Sequence, residues 1–381
     1  MIKELNSTAR RIYPRLVKFL REIVTIPSPS GKEGMVSSRI RREMKDAGFD
    51  EVDVDGLGSV IARLGSGKTR ILYDAHIDTV DAGSIEKWKY DPYGAVYRHG
   101  ILYGRGACDD KGGVAALVYA ARLIRMLGLG RDCTLYFSLS ALEEPAQGEG
   151  IMSVMAKIGV KPHCVVIAEP SGLKIVRGHK GRAGFKITAK GKSSHASTPE
   201  KGINAIYRMT PLLRKIDELN KKFRLDSRLG RSVISVTGIK SQSNLHNTIP
   251  DNCVIYLDRR TTEKEGKQKV TAELKRIAGK HGRVEESGRF SPAWILERKH
   301  PLLESAQRAY RILFSKEPEL CLWPFCTNGS YTMGERRIPT IGFGPGEDRF
   351  AHVTDERIKT EDVLKAAMFY AVLPRVIEGA M

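Results

Sequence analysis

No stretch of this 381-residue chain approaches the run of ~18 apolar residues needed to cross a bilayer. Residues 1–24 interleave Lys3, Glu4, Arg10, Arg11, Arg15, Lys18, Arg21 and Glu22 with their apolar positions, so neither a membrane span nor a signal peptide is expected. Cysteine is sparse: Cys108, Cys133, Cys164, Cys253, Cys321 and Cys326 form no CxxC pair and lack the dense spacing of a secreted scaffold. That pattern fits free thiols in a reducing cytoplasm, with no disulfide expected. Internal repeats, low-complexity segments, a basic tail and nucleic-acid-binding motifs are also missing.

What is present is the composition of a globular protein, 41% hydrophobic and 28% charged, at a length that favours two or three domains over one. Lys plus Arg outnumber Asp plus Glu by 63 to 44, a net +19. The basic residues are spread along the chain among acids, which fits a soluble charged exterior or acidic substrates better than a nucleic-acid or membrane partner.

Residues 1–178 alternate helical and extended patterns. Helices are predicted over 16–24, continuing from the N-terminus, and over 32–47, 113–127 and 151–158; strands over 59–63, 70–75, 133–141 and 164–168. Strands alternating with crossover helices predict an α/β fold, a mostly parallel sheet with helices on both faces. Near Gly178 the pattern changes to strands at 184–190, 232–239, 253–258 and 284–289 with helices at 204–223 and 268–281, an α+β module of about a hundred residues. It reads as an insertion, 179–292, into a first domain of 1–178 plus 293–381 that is completed by a helix at 302–314, a strand at 340–343 and a helix at 360–378.

Acid and histidine clusters sit at the predicted strand ends, where a parallel sheet builds its site. In ILYDAHID, residues 71–78, His76 and Asp78 leave one face of an extended segment, so one can bind a metal while the other orients it. GRGACDDKGG, residues 104–113, delivers Asp109 and Asp110 to the start of a helix; lacking a third spaced glycine or a GK[ST] ending, it is no nucleotide cradle. Asp109 reads as a ligand and Asp110 as a helix cap. Glu143 and Glu144 close an apolar strand; leaving it on opposite faces, one can serve a metal and the other act as general base. Glu169 closes CVVIA in the same manner, and His352 follows the turn GFGPG at 342–346. Six other histidines (His99, His163, His179, His246, His281, His300) have no convergent partners and read as surface or packing residues.

These five runs, in this order and spacing, resemble the dinuclear zinc peptidases and amidohydrolases that include acetylornithine deacetylase, succinyl-diaminopimelate desuccinylase and glutamate carboxypeptidase. RGHKGR at 177–182 and LDRR at 257–260 resemble most a branch of hydrolases linked to selenium metabolism. The resemblance implies a zinc-aminopeptidase-like α/β domain interrupted by a ferredoxin-like lid and dimerisation domain, giving a cytoplasmic homodimer. It implies two Zn2+ per chain, with Co2+ or Mn2+ able to substitute, held by His76, Glu144, Glu169 and His352 and bridged by Asp109, with Asp78 orienting His76. Glu143 would take a proton from a bridging water and return it to the leaving nitrogen. His195 in GKSSHAS would steady the oxyanion in a neighbouring subunit, and Asn247 and Arg260 match positions that hold a substrate carboxylate. Where relatives read Gly-Thr-Ser-Asp, this chain has Cys326-Thr327-Asn328-Gly329, so the substrate contacts expected at Asn328 and Gly329 are altered. Family members with Glu at the position of Glu169 tend to be deacylases and carboxypeptidases. The implied substrate is an N-acyl amino acid or small peptide with a free carboxylate. A dipeptidase or carboxypeptidase, or a silent metal-containing binding protein, is the alternative.

Overall fold

The computed structural model describes residues 1–145, 148–241 and 247–377, and the chain divides into two compact units. One comprises Met1–Gly178, Ile295–Trp323 and Thr327–Met381; the other His179–Trp294 with Pro324–Cys326.

The first unit is built on a mixed sheet whose middle runs in the order Glu51–Val54, Val60–Leu64, Cys133–Ser140, Thr69–His76, Cys164–Ile167, Thr340–Gly342 and Ile175–His179. The four central strands, from Cys133–Ser140 to Thr340–Gly342, are mutually parallel, and antiparallel partners flank them. Their sequences are nearly continuous apolar runs because both faces are covered: every residue of Cys164–Ile167 is buried. Helices Ile2–Val24, Lys111–Leu127 and Thr360–Ile377 pack against one another over this sheet. The predicted last position of the final helix, Glu378, lies outside the described residues.

Parallel strands bring their C-terminal ends to one edge, which gathers His76, the turn after Ser140 and the residues after Ile167. The glycine pair at the start of helix Lys111–Leu127 serves close approach. A Cβ on Gly113 would meet the Asp110 carboxylate and, at 2.8 Å, the Ala168 carbonyl; one on Gly112 would meet Ile358 and, at 2.8 Å, the Ala107 carbonyl.

The second unit is strand, helix, strand, strand, helix, strand: Gly181–Lys190, Ala205–Lys222, Val233–Ser241, Asn252–Thr261, Lys267–Ala278 and Arg283–Glu286. Its sheet is antiparallel throughout, in the order Val233–Ser241, Asn252–Thr261, Gly181–Lys190, Arg283–Glu286, the ferredoxin-like arrangement. Alternate residues Ala183, Phe185, Ile187 and Ala189, opposite Cys253, Ile255 and Leu257, face a core closed by Met209, Leu212 and Ile216 of one helix and Val270 and Leu274 of the other.

One local expectation is corrected, and two features go beyond it. The last strand of this unit stops at Glu286 rather than 289, since Gly288 takes a left-handed φ of +92°. Short strands Val96–Arg98, Ile101–Tyr103 and Arg357–Lys359, too brief for a periodic signal, form a separate small sheet. Residues Ser330–Glu335 wind as a π-helix that periodicity does not predict.

Candidate metal centre

His76 ends its strand fully buried, with Nδ1 donating to the Asp78 carbonyl at 2.9 Å. That bond fixes the ring and turns Nε2 to the site, where it lies 2.9 Å from Asp109 Oδ1 and 3.8 Å from Glu169 Oε1. The other oxygen of Asp109, Oδ2, lies 3.2 Å from His352 Nε2, which is 3.0 Å from Glu144 Oε2. Asp109 thus stands between two imidazoles, with a further carboxylate at each pole. Ligand atoms of His76, Glu143 and Glu169, and likewise of His76, Asp109 and Glu144, lie within 4.8 Å of one another. His352 comes from a loop, in a left-handed conformation with φ +59°.

The carboxylates strain one another electrostatically. Burial, with Glu144, Asp78 and Asp109 nearby, pushes Glu143 up to about 8 against the pull of His76. Glu169 is also driven well up, by burial and then by Asp109 and Glu143. Burial alone would lower His76, but its bonds to Asp109 and Asp78 outweigh this and hold the imidazole well above its ordinary value. Asp109 and Glu144 raise His352 to about 10, and Asp109 is held low by the two imidazoles despite its burial. Two imidazoles and four carboxylates converging in a site buried around His76 and open to solvent at His352, with protonation equilibria pushed apart, form a donor set suited to borderline divalent ions such as zinc. The residues present fit a metal pair.

Two sequence readings are corrected in detail. Glu143 and Glu144 do not leave a strand on opposite faces: the strand ends at Ser140, Leu142 turns the chain with φ +57°, and both glutamates occupy the turn that follows. Asp78 serves both His76 and that turn. Its carboxylate lies 3.5 Å from His76 Nδ1, whose ring also bonds the Asp78 carbonyl, and it accepts the Glu143 and Glu144 amides at 3.1 Å each and the Ser30 hydroxyl at 2.7 Å. Asp110 occupies the cap position of helix Lys111–Leu127, but its side chain makes no capping bond. Its carboxylate is buried without a hydrogen-bond partner, and burial raises its pKa strongly.

Asn328 is buried, and its amide donates to Asp74 Oδ2 at 2.9 Å and Ser140 Oγ at 3.0 Å, tying it into the sheet. Gly329 is bound to the Thr327 hydroxyl through its own amide. Among the set-aside histidines, His163 accepts the Arg70 amide, His179 meets Trp294 edge-on, and His300 caps helix Pro301–Phe314; His246 lies outside the described residues. All six cysteines are free thiols.

Four supporting residues escaped the sequence reading: Ser30, Glu33, Asp74 and Glu356. Glu33 accepts the Gly31 amide at 2.9 Å and the Leu142 amide at 3.3 Å, so a loop far upstream braces the glutamate turn. Burial raises Asp74 to about 6. Glu356 is fully buried beside Arg105 and the Asp109 turn. No spacing marks any of them, because each acts through contacts with segments remote in sequence.

Within the second unit, His195 and Asn247 lie on paired segments. The chain at Ser194–Ala196 pairs with 247–249 through Ala196 N–H to Asn247 O at 2.8 Å and Ile249 N–H to Ser194 O at 2.9 Å. The His195 ring is exposed, with Nδ1 2.7 Å from the Ser197 hydroxyl. Arg260 lies on the face of its strand opposite the core, its Nε 2.6 Å from Asp258, which also holds Arg182 at 2.8 Å.

Residues 72–375 match the model of peptidase family M20/M25/M40. The Escherichia coli K12 protein YgeY, itself uncharacterized, is 34% identical over 98% of this chain and 96% of its own length. Acetylornithine deacetylase of Pasteurella multocida is 27% identical over 80% of this chain and 79% of its own. Among solved structures, the M20 family metallo-carboxypeptidase Sso-CP2 of Sulfolobus solfataricus superposes with a TM-score of 0.80 at 18% identity, covering 95% of this chain and 98% of that one.

Proposed function

The chain belongs to peptidase family M20/M25/M40, and from that premise we propose that it hydrolyses the amide bond of an N-acyl amino acid or small peptide bearing a free carboxylate. The observation that carries the reading is Asp109, whose two oxygens face the Nε2 atoms of His76 and His352. His76 and Glu169 would hold one divalent ion and His352 and Glu144 the other, with Asp109 shared between them. Two Zn2+ ions, when bound, would polarise the scissile carbonyl and ease deprotonation of water, chemistry that Co2+ or Mn2+ could also supply.

Glu143 is the base in this scheme. Its carboxylate lies within the cluster of His76 and Glu169, and its raised proton affinity suits a group that takes a proton from the attacking water and returns it to the leaving nitrogen. Asp78 fixes the backbone of Glu143 and Glu144 together, so base and ligand keep their spacing. His195 steadies the oxyanion of a neighbouring subunit, and Arg260 with Asn247 holds the substrate carboxylate; the planar fork of Arg260, anchored by Asp258, suits that contact. Asn328 and Gly329 contribute to the acyl side of the substrate site, with the Asn328 amide held by Asp74 and Ser140. A homodimer through the inserted unit, acting as lid, is supported by its edge strand Val233–Ser241, where Val236 and Ile239 are exposed. Cytoplasmic residence is supported by the six cysteines, which form no disulfide.

The test is hydrolysis of a panel of N-acetyl and N-succinyl amino acids beside unblocked dipeptides, with metal content measured on the same sample. Two metals per chain with turnover of acylated substrates is the expected result. Activity on dipeptides alone would move the enzyme to the peptidase side. One metal or none, with no turnover, would refute the dinuclear reading.

A further inference from the structure

Asp109 sits on a glycine-rich turn that has to aim its side chain accurately. The segment Gly104-Arg-Gly-Ala-Cys-Asp109 contains two glycines at positive φ, +157° and +81°, and it precedes helix Lys111–Leu127 without a capping side chain. Yet Asp109 must present one oxygen to each of two imidazoles.

Beside the bonds of Arg105 N–H to the Pro92 carbonyl at 2.8 Å and of Lys111 N–H to the Gly106 carbonyl at 2.9 Å, one buried carboxylate gathers the backbone next to the ligand. Glu356 Oε1 accepts the backbone N–H of Cys108 at 2.8 Å and of Asp109 at 3.0 Å, while Oε2 takes Arg105 Nη1 at 2.6 Å. The Glu356 carbonyl also accepts the Gly104 amide at 2.9 Å, so the turn is bound at its start and at its ligand by one residue. The Arg105 guanidinium lies 5.1 Å over the Trp88 ring, which keeps the pair's positive end in place. Glu356 stands four residues beyond His352, and the next residue, Arg357, pairs with Tyr103 directly before the turn.

We propose that Glu356 is a positioning residue for the metal centre, locking the Asp109 turn to the His352 loop so that the two oxygens of Asp109 stay aimed at opposite imidazoles. The proposal rests on the metal-centre reading above. A plain structural ion pair is the competing account, but a buried pair seldom stabilises a fold more than apolar packing would. Here one oxygen is committed to the amide of the bridging carboxylate itself and to the amide before it. Groups that orient ligands in this way typically change metal affinity 10–100-fold when altered.

The experiment titrates metal-free protein with Co2+ alone and follows visible absorption and stoichiometry, comparing wild type with Glu356→Gln and with Arg105→Gln/Glu356→Gln, which retains a neutral hydrogen-bonded pair. Wild type should take two equivalents. In both variants the second equivalent should bind about tenfold or more weakly with an altered absorption band, while the double variant keeps the wild-type thermal midpoint. Two equivalents bound as tightly and with the same spectrum would overturn the proposal. So would failure of both variants to fold, which would make Glu356 a determinant of the fold. No Co2+ uptake by wild type would instead sink the metal-centre reading, and this proposal with it.

Discussion

The two units carry their candidate residues in opposite ways. In the α/β unit they come from the ends of neighbouring parallel strands and from loops, and they crowd into one cluster, buried except at His352, where proton affinities are pushed apart. In the inserted unit His195 sits exposed with its ring against Ser197, and Arg260 lies on the outer face of a strand with its guanidinium against Asp258. The difference teaches where chemistry can be complete. Low dielectric and fixed geometry let the α/β unit prepare charge for a metal pair, whereas the inserted unit offers groups whose work requires something to be brought to them.

The largest expected effect would break this division if it failed. Glu143→Ala should cut turnover by about 10²–10⁴-fold while two metals remain bound, read by initial rates and metal analysis on the same sample. Loss of a metal instead would make Glu143 a ligand and erase the separation of its role from that of Glu144.

A second test probes the inserted unit. His195→Ala should lower kcat by about 10²-fold or more without loss of metal. Mixing this variant with Glu143→Ala should restore about a quarter of wild-type activity, since half the dimers formed at random pair an intact Glu143 site with an intact partner His195. No recovery on mixing would confine His195 to its own subunit or remove it from the reaction.

Packing around the two sets of glycines sharpens the contrast further. Gly113→Ala, whose Cβ would press on Asp110 and the Ala168 carbonyl, should cost about 1–3 kcal/mol in chemical denaturation. Gly238→Ala in the inserted unit, where the nearest atom is Tyr256 Cδ2 at 3.4 Å, should stay within about 0.5 kcal/mol.

The smallest effect concerns acid. Backbone N–H groups of Leu229 and Arg228, helped by Lys264, hold Asp226 down at about 2 against an ordinary 3.8. A folded pKa below the unfolded one stabilises the protein above the unfolded value, and the benefit is lost as pH falls through the folded value. The advantage of wild type over Asp226→Ala should therefore be full above about pH 4 and absent below about pH 2, as followed by thermal midpoints across that range. A constant difference would show that the side chain acts by packing alone.

Much of this architecture could be read before any coordinates. Apolar runs such as CVVIA announce covered strands because a strand buried on both faces has no place for polar residues. The change of pattern at Gly178 marks the inserted unit because a sheet covered on one face must alternate, as Gly181–Lys190 does. The faces of Glu143 and Glu144 could not be read, because the strand ends three residues earlier and a positive φ at Leu142 sets their direction. Asn328 likewise carries no sign in the sequence that its amide is drawn into the sheet by Asp74 and Ser140.

The sequence by itself determined which elements form and which residue types their ends deliver, since periodicity and local chemistry act within a few residues. Only the tertiary structure decided how those ends meet. Ser30 with Asp78, Glu33 with Leu142, and Glu356 with Asp109 are separated by 48, 109 and 247 positions, and a hydrogen bond depends on distance in space, which the chain's order does not encode locally.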